Sequence, residues 1–147
     1  MLYFEDIEIG QEKEVGRYTP SRDEIISFAT QWDPQPFHID DEAASASVFG
    51  GLSASSCHTY SICSLIFSRS APKLKTAAML GLEVRFPSPV RPDEELTMSE
   101  TFIEKRPSGS RPTLGVVKSR TSLRNPQGEE VMRMESNYLV ERRADEA

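Results

Sequence analysis

Near Ser70 the apolar residues of this chain change their period, and that change sets the order of its elements. Upstream, Ile25, Phe28, Ala29 and Trp32 recur at i, i+3, i+4 and i+7, the buried stripe of an amphipathic helix. Downstream the period falls to two. Leu82, Val84 and Phe86 alternate, Leu96, Met98 and Phe102 share a face, and Leu114 to Leu123 is strand-like in its Val and Thr. Met132, Met134, Ser136, Tyr138 and Val140 mark a last strand. Pro87-Ser88-Pro89, Arg91-Pro92-Asp93, Pro107-Ser108-Gly109 and Asn125-Pro126-Gln127-Gly128 supply the turns between them.

Between the two regimes lies a segment from about Ser55 to Arg69 that is small or apolar nearly all round. A helix without a polar face reads as a buried one, and Ser53, Ser55, Ser56, Ser61 and Ser64 let neighbouring backbone approach it. Strands in series pair antiparallel through hairpins. A curved sheet wrapped around this helix gives it cover, so the expected class is α+β, with Val15–Thr19 adding a short strand at the start. The open face and edges of such a sheet favour a dimer.

The first helix starts at Ser21, where Glu24 three residues on fits a capping box, and stops near Asp33 because Pro34 and Pro36 follow. Trp32 reads as core. Asp40 caps a short helical piece through Ala43 and Ala44, which Phe49-Gly50-Gly51 breaks.

The 147 residues suit one domain with a real core. No apolar run approaches the ~20 residues of a membrane span. The start, Met1-Leu2-Tyr3-Phe4-Glu5-Asp6, lacks the basic-then-apolar pattern of a signal peptide, so the cytoplasm is the expected location. A net charge of −6 argues against nucleic acid as the main partner. Arg85 with Arg91, or Lys105 with Arg106 and Arg111, can gather a polyanionic small ligand, the plainer reading being solvated strand ends. Cys57 and Cys63 read as small buried hydrophobes, since their spacing suits neither zinc nor a redox pair. No metal is expected. The charged tail from Glu141 to Ala147 is expected to fray.

The chemistry concentrates in Asp33-Pro34-Gln35-Pro36-Phe37-His38. Each proline fixes its own φ and restricts the residue before it. A carboxylate and an imidazole held by such a turn can converge on one water, the minimum equipment for general acid–base work. His58, inside the apolar helix, reads instead as a hydrogen-bonded core histidine.

These residues resemble the MaoC-like acyl dehydratases, the R-specific enoyl-CoA hydratase group of the hotdog fold. The hydratase motif Asp-x-Asn-Pro-x-His-x-Asp is matched by Asp33 to Asp40, with Gln35 in place of Asn. The family's Ala-rich piece ending in Phe-Gly is matched by Ala43 to Gly50, and its hairpin by Leu82 to Asp93. At the start of the central helix the family has Ala-His-Gly or Ser-Gly-Trp-His-Thr, and this chain has Ser55-Ser56-Cys57-His58-Thr59.

The resemblance implies a single hotdog domain of about five strands around the central helix, forming a homodimer or a dimer of dimers. It implies a hydro-lyase acting on an enoyl or 3-hydroxyacyl thioester of CoA or acyl carrier protein, without a cofactor. Asp33 and His38 would share the reacting water, with Asp33 taking the proton or polarising the water. The Ser56 N–H would hold the thioester oxygen, and Ser55, Gln35 and Ser64 would lie at the substrate. The alternatives are a hotdog thioesterase and a non-catalytic acyl-thioester binder.

Overall fold

The computed structural model describes residues 1–145. Five strands form one antiparallel sheet: β1 (Glu12–Tyr18), β2 (Thr76–Arg85), β3 (Leu96–Pro107), β4 (Leu114–Arg124) and β5 (Glu130–Glu141), in the order β1-β3-β4-β5-β2. Two of the four neighbouring pairs, β1 with β3 and β5 with β2, are not consecutive in the chain. The helices between β1 and β2 are α1 (Arg22–Trp32), α2 (Pro36–Ile39), α3 (Asp41–Ser45) and α4 (Ser56–Arg69). The expected strand–helix–helix–strands order is present. The short α2 was not expected: its second half of the proline turn becomes helical because Pro36 occupies the first helical position, where a missing N–H does no harm.

One face of the sheet carries the core. Leu96, Met98, Leu123, Met132 and Met134 meet Ile62, Cys63 and Ile66 of α4 and Ile25 of α1. Fully burying a side chain of this size stabilises by about 1.5–3 kcal/mol. At the other end of the same face, Val117, Tyr138 and Val140 are covered by Phe4 and Ile7. Phe4 lies directly over Gly115, where any side chain would strike its ring. The Lys105 ammonium ties this N-terminal segment down by donating to the carbonyls of Phe4 at 3.2 Å and Ile7 at 2.8 Å. It is a structural tie rather than part of an anion site. The tail is likewise held as far as Arg143: Arg142 Nε donates to Glu5 Oε1 at 3.1 Å and the Arg143 guanidinium to Asp6 at 2.7 Å. The remainder of the expected frayed tail, residues 146–147, lies outside the described residues.

Between the two apolar clusters the sheet face is polar. Glu100, Ser119 and Ser136 are buried there together, with Ser119 Oγ donating to Glu100 Oε2 at 3.1 Å. Burial pushes the Glu100 carboxyl above the ordinary glutamate range, against the opposing hydrogen bonds from Ser119 and Tyr138. The folded chain therefore holds this proton more tightly than the unfolded one. Its contribution to stability is complete below the ordinary value of 4.5 and is lost as pH rises through the raised folded value. Glu100→Gln cannot ionise, so its Tm relative to the parent should be higher at pH 8 than at pH 5. An equal difference at both pH values in a thermal melt contradicts this.

Three expectations change. Trp32 is 67% exposed, because it is the last residue of α1 and the buried stripe ends at Ala29. Cys57 is exposed, lying at the solvent side of the first turn of α4; Cys63 is buried as expected, and burial pushes its thiol up to about 12. The central helix is not covered all round: Cys57, Ser61, Ser64 and Ser68 form an open stripe, while Ile62, Cys63 and Ile66 face the sheet. The adjacent edge strand β2 is exposed on both faces, with Met79, Leu80 and Leu82 open to solvent.

Candidate active site

The Ser21 hydroxyl accepts from the Glu24 N–H at 3.1 Å and starts α1, whose last backbone bond runs from the Asp33 N–H to the Ala29 carbonyl. The return half of the expected capping box is absent, because the Glu24 carboxylate serves elsewhere. It accepts from the Tyr18 hydroxyl and lies 3.1 Å from His58 Nε2. His58 is buried, stacked on Phe28 at 4.4 Å, and burial lowers its pKa against the pull of Glu24. It is the core histidine expected, joining α4 to α1.

Asp33 and His38 come together as the proline turn implied. Pro34 ends α1, and α2 raises the imidazole beneath the turn. His38 is only 6% exposed. Its Nδ1 is 2.7 Å from the Ser53 carbonyl. A carbonyl only accepts, so Nδ1 carries the hydrogen and Nε2 of the neutral ring is left with its lone pair. That Nε2 lies 3.7 Å from Asp33 Oδ2, too far for a direct hydrogen bond. Two acceptors therefore face one gap, a geometry suited to a molecule that can donate to both.

Ser55 binds this pair to the helix. Its hydroxyl donates to Asp33 Oδ2 at 2.7 Å and accepts from the Cys57 N–H at 3.2 Å, capping α4. The Thr59 N–H is satisfied by the Ser55 carbonyl. Ser56, at the first position of α4, lines the same cavity as His38. The first amides of a helix lack internal partners and carry partial positive charge. This cavity, of about 510 Å³, is walled by Phe37, Phe49, Thr59, Phe86, Pro87 and Val131 among others.

The structure places Gln35 at the surface, where its carbonyl accepts from the His38 N–H at 2.9 Å. Ser64 lies not in the His38 cavity but in a second one of about 220 Å³, between the C-terminal half of α4 and the sheet. Two participants escaped the sequence reading. Ser53 fixes the imidazole through its carbonyl, and its buried hydroxyl has no partner among the described residues. Arg91, read from sequence as one of a possible anion pair, instead donates to the carbonyls of Phe49, Gly51 at 2.8 Å and Leu52 at 3.2 Å, fixing the loop that presents Ser53 and Ser55. The Ser-Ala-Ser-Ser run before the helix was the available signal for Ser53. Among the described residues there is no cluster of three or more His, Cys, Asp or Glu able to hold a metal, and no helix is long and apolar enough to cross a membrane.

A five-stranded antiparallel sheet carrying one long helix on its face is the architecture of the hotdog fold. The model of the MaoC like domain matches residues 6–122, and the chain belongs to that family. It is 30% identical to the uncharacterized protein YdeM of Bacillus subtilis, over 96% of this chain and 100% of that protein. Among solved structures it is similar to the MaoC-like dehydratase from Rhodospirillum rubrum, at 37% identity and a TM-score of 0.92, covering 97% of this chain and 99% of that one. The R-hydratase PhaJ1 from Pseudomonas aeruginosa, 22% identical with a TM-score of 0.75 over 96% of this chain and 86% of that one, shares the fold.

Proposed function

We propose that the protein adds water across the 2,3 double bond of an enoyl thioester, and catalyses the reverse dehydration of the 3-hydroxyacyl thioester. The observation that carries this reading is the gap between Asp33 and the unprotonated Nε2 of His38, with the tautomer fixed by Ser53. A water in that gap donates one hydrogen to each acceptor and keeps a lone pair for C3. As its oxygen bonds to C3, one of the two groups takes the proton. The π electrons move toward the thioester oxygen, and C2 then takes up a proton from the pair. The Ser56 N–H, at the positive end of α4, is the donor assigned to the oxygen that gains charge.

Membership of a dehydratase family supports the class of reaction. The two cavities follow one stripe of α4, Ser56 and Thr59 in the first and Cys63, Ser64 and Phe67 in the second. An acyl chain leaving the Asp33–His38 pair would run along that stripe. The carrier is CoA or acyl carrier protein. A second copy of the chain would pair with the exposed β2 edge and cover the open stripe of α4. Sedimentation at twice 16.5 kDa is then expected, and a monomer would count against it.

Adding the protein to crotonyl-CoA should remove the enoyl-thioester absorbance without releasing free thiol. Rapid thiol release with the double bond intact would identify a thioesterase instead.

A further inference from the structure

The second cavity contains a carboxyl group that the proposed chemistry does not use. Its walls are mostly apolar, formed by Cys63, Phe67, Met98 and Met134, yet Glu100 also lines it. Leu96 and Met98 precede Glu100 on the same face of β3 and are apolar, and Glu100 opens the polar patch that it shares with Ser119 and Ser136. Glu100 is 9% exposed. Both of its hydrogen bonds, from Ser119 Oγ at 3.1 Å and the Tyr138 hydroxyl at 3.5 Å, end on Oε2. Among the described residues no donor reaches Oε1 and no cation pairs with the group. Oε1 is not sealed in the core, and its lone pairs are free for a donor that enters the cavity.

We propose that Glu100 selects acyl groups carrying a hydroxyl at their far end. This rests on the reading of the site as an acyl-thioester hydratase. A hydroxyl suits Glu100 in either protonation state, donating to the carboxylate or accepting from the carboxylic acid. A second carboxylate would be repelled, and a plain alkyl end would leave Oε1 unpaired. The reach is compatible. Ser56 and Ser64 are eight residues apart on α4, about 12 Å at ~1.5 Å per residue. An extended chain advances ~3.5 Å per three bonds, so roughly ten atoms span that distance.

The test compares trans-2-decenoyl-CoA with 10-hydroxy-trans-2-decenoyl-CoA, which differ by the terminal oxygen alone. For the parent protein, kcat/KM is expected to favour the hydroxylated thioester at least tenfold, as a hydrogen bond to a charged group warrants. Glu100→Gln, which still donates and accepts, should keep the preference, and Glu100→Met should reverse it. Glu100→Ala replaces the Met variant if circular dichroism shows that the latter does not fold. A parent protein that prefers the alkyl chain, or a ratio unchanged by Glu100→Met, overturns the proposal. If neither thioester is hydrated, the hydratase reading fails by itself. Calorimetry with decanoyl-CoA and 10-hydroxydecanoyl-CoA then decides the selectivity: at least tenfold tighter binding of the latter upholds it, and equal Kd values overturn it.

Discussion

Asp33→Asn is expected to slow hydration of crotonyl-CoA by a factor of about 10²–10⁴, the range general acid–base groups supply. The amide is the same size as the carboxylate and sits at a half-buried turn, so the fold should be unaffected. Oδ2 both accepts from Ser55 and faces the gap, so an amide oxygen in its place can still accept from Ser55 and from the water, but the neutral amide cannot take up a proton, and an amide nitrogen in that place could accept from neither. His38→Ala should lose activity to a similar degree, because Nε2 is the other acceptor facing the gap. The two groups hold one water, so the double variant should be little slower than either single one. Normal turnover in a folded Asp33→Asn protein, checked by circular dichroism and steady-state kinetics, contradicts the mechanism.

Gly115→Ala should have the largest effect on stability. A Cβ at this position would lie 2.1 Å from Phe4 Cδ2 and 2.3 Å from Cε2, far inside contact distance. Gly115 is in the middle of the sheet, paired with Pro107 on β3 and Val140 on β5, so its backbone cannot retreat. The Phe4 ring must leave, uncovering Val117 and Val140. The loss is about 3 kcal/mol by comparison with overpacked or vacated core sites, or roughly 6–12 °C in Tm for a chain of this length. Phe4→Ala removes the obstacle, so adding Gly115→Ala to it should cost little more. Additive losses in that cycle would show that the clash with Phe4 is not the cause.

Much of this architecture is written in local pattern. Ser21, Pro34 and Pro36 bracket α1 because a cap and two prolines act within a few residues of themselves. Strands β3 to β5 follow from alternation and from Gly, Pro and Asn at the turns. What the pattern misses depends on neighbours. The stripe through Trp32 is helical, but periodicity does not say where the core that it faces stops. The apolar circumference of α4 gave no indication that one side faces solvent in a single chain. Glu100 lies on the same face as Leu96 and Met98, yet a charged residue reads as a break in an apolar alternation. The site shows the same division. The Asp33–His38 pair was legible because side-chain chemistry identifies it and the family motif contains it. The Ser53 carbonyl and the three carbonyls held by Arg91 were not, because a carbonyl has the same chemistry in every residue.

Water is expected to enter at C3 while the thioester survives. Incubation with crotonyl-CoA in ¹⁸O-labelled water, followed by mass spectrometry, tests it directly. The expected product is 3-hydroxybutyryl-CoA with the label in its hydroxyl group, formed by the parent protein and not by Asp33→Asn. Free CoA with the label in a released carboxylate, or recovered crotonyl-CoA with no label, would contradict the claim.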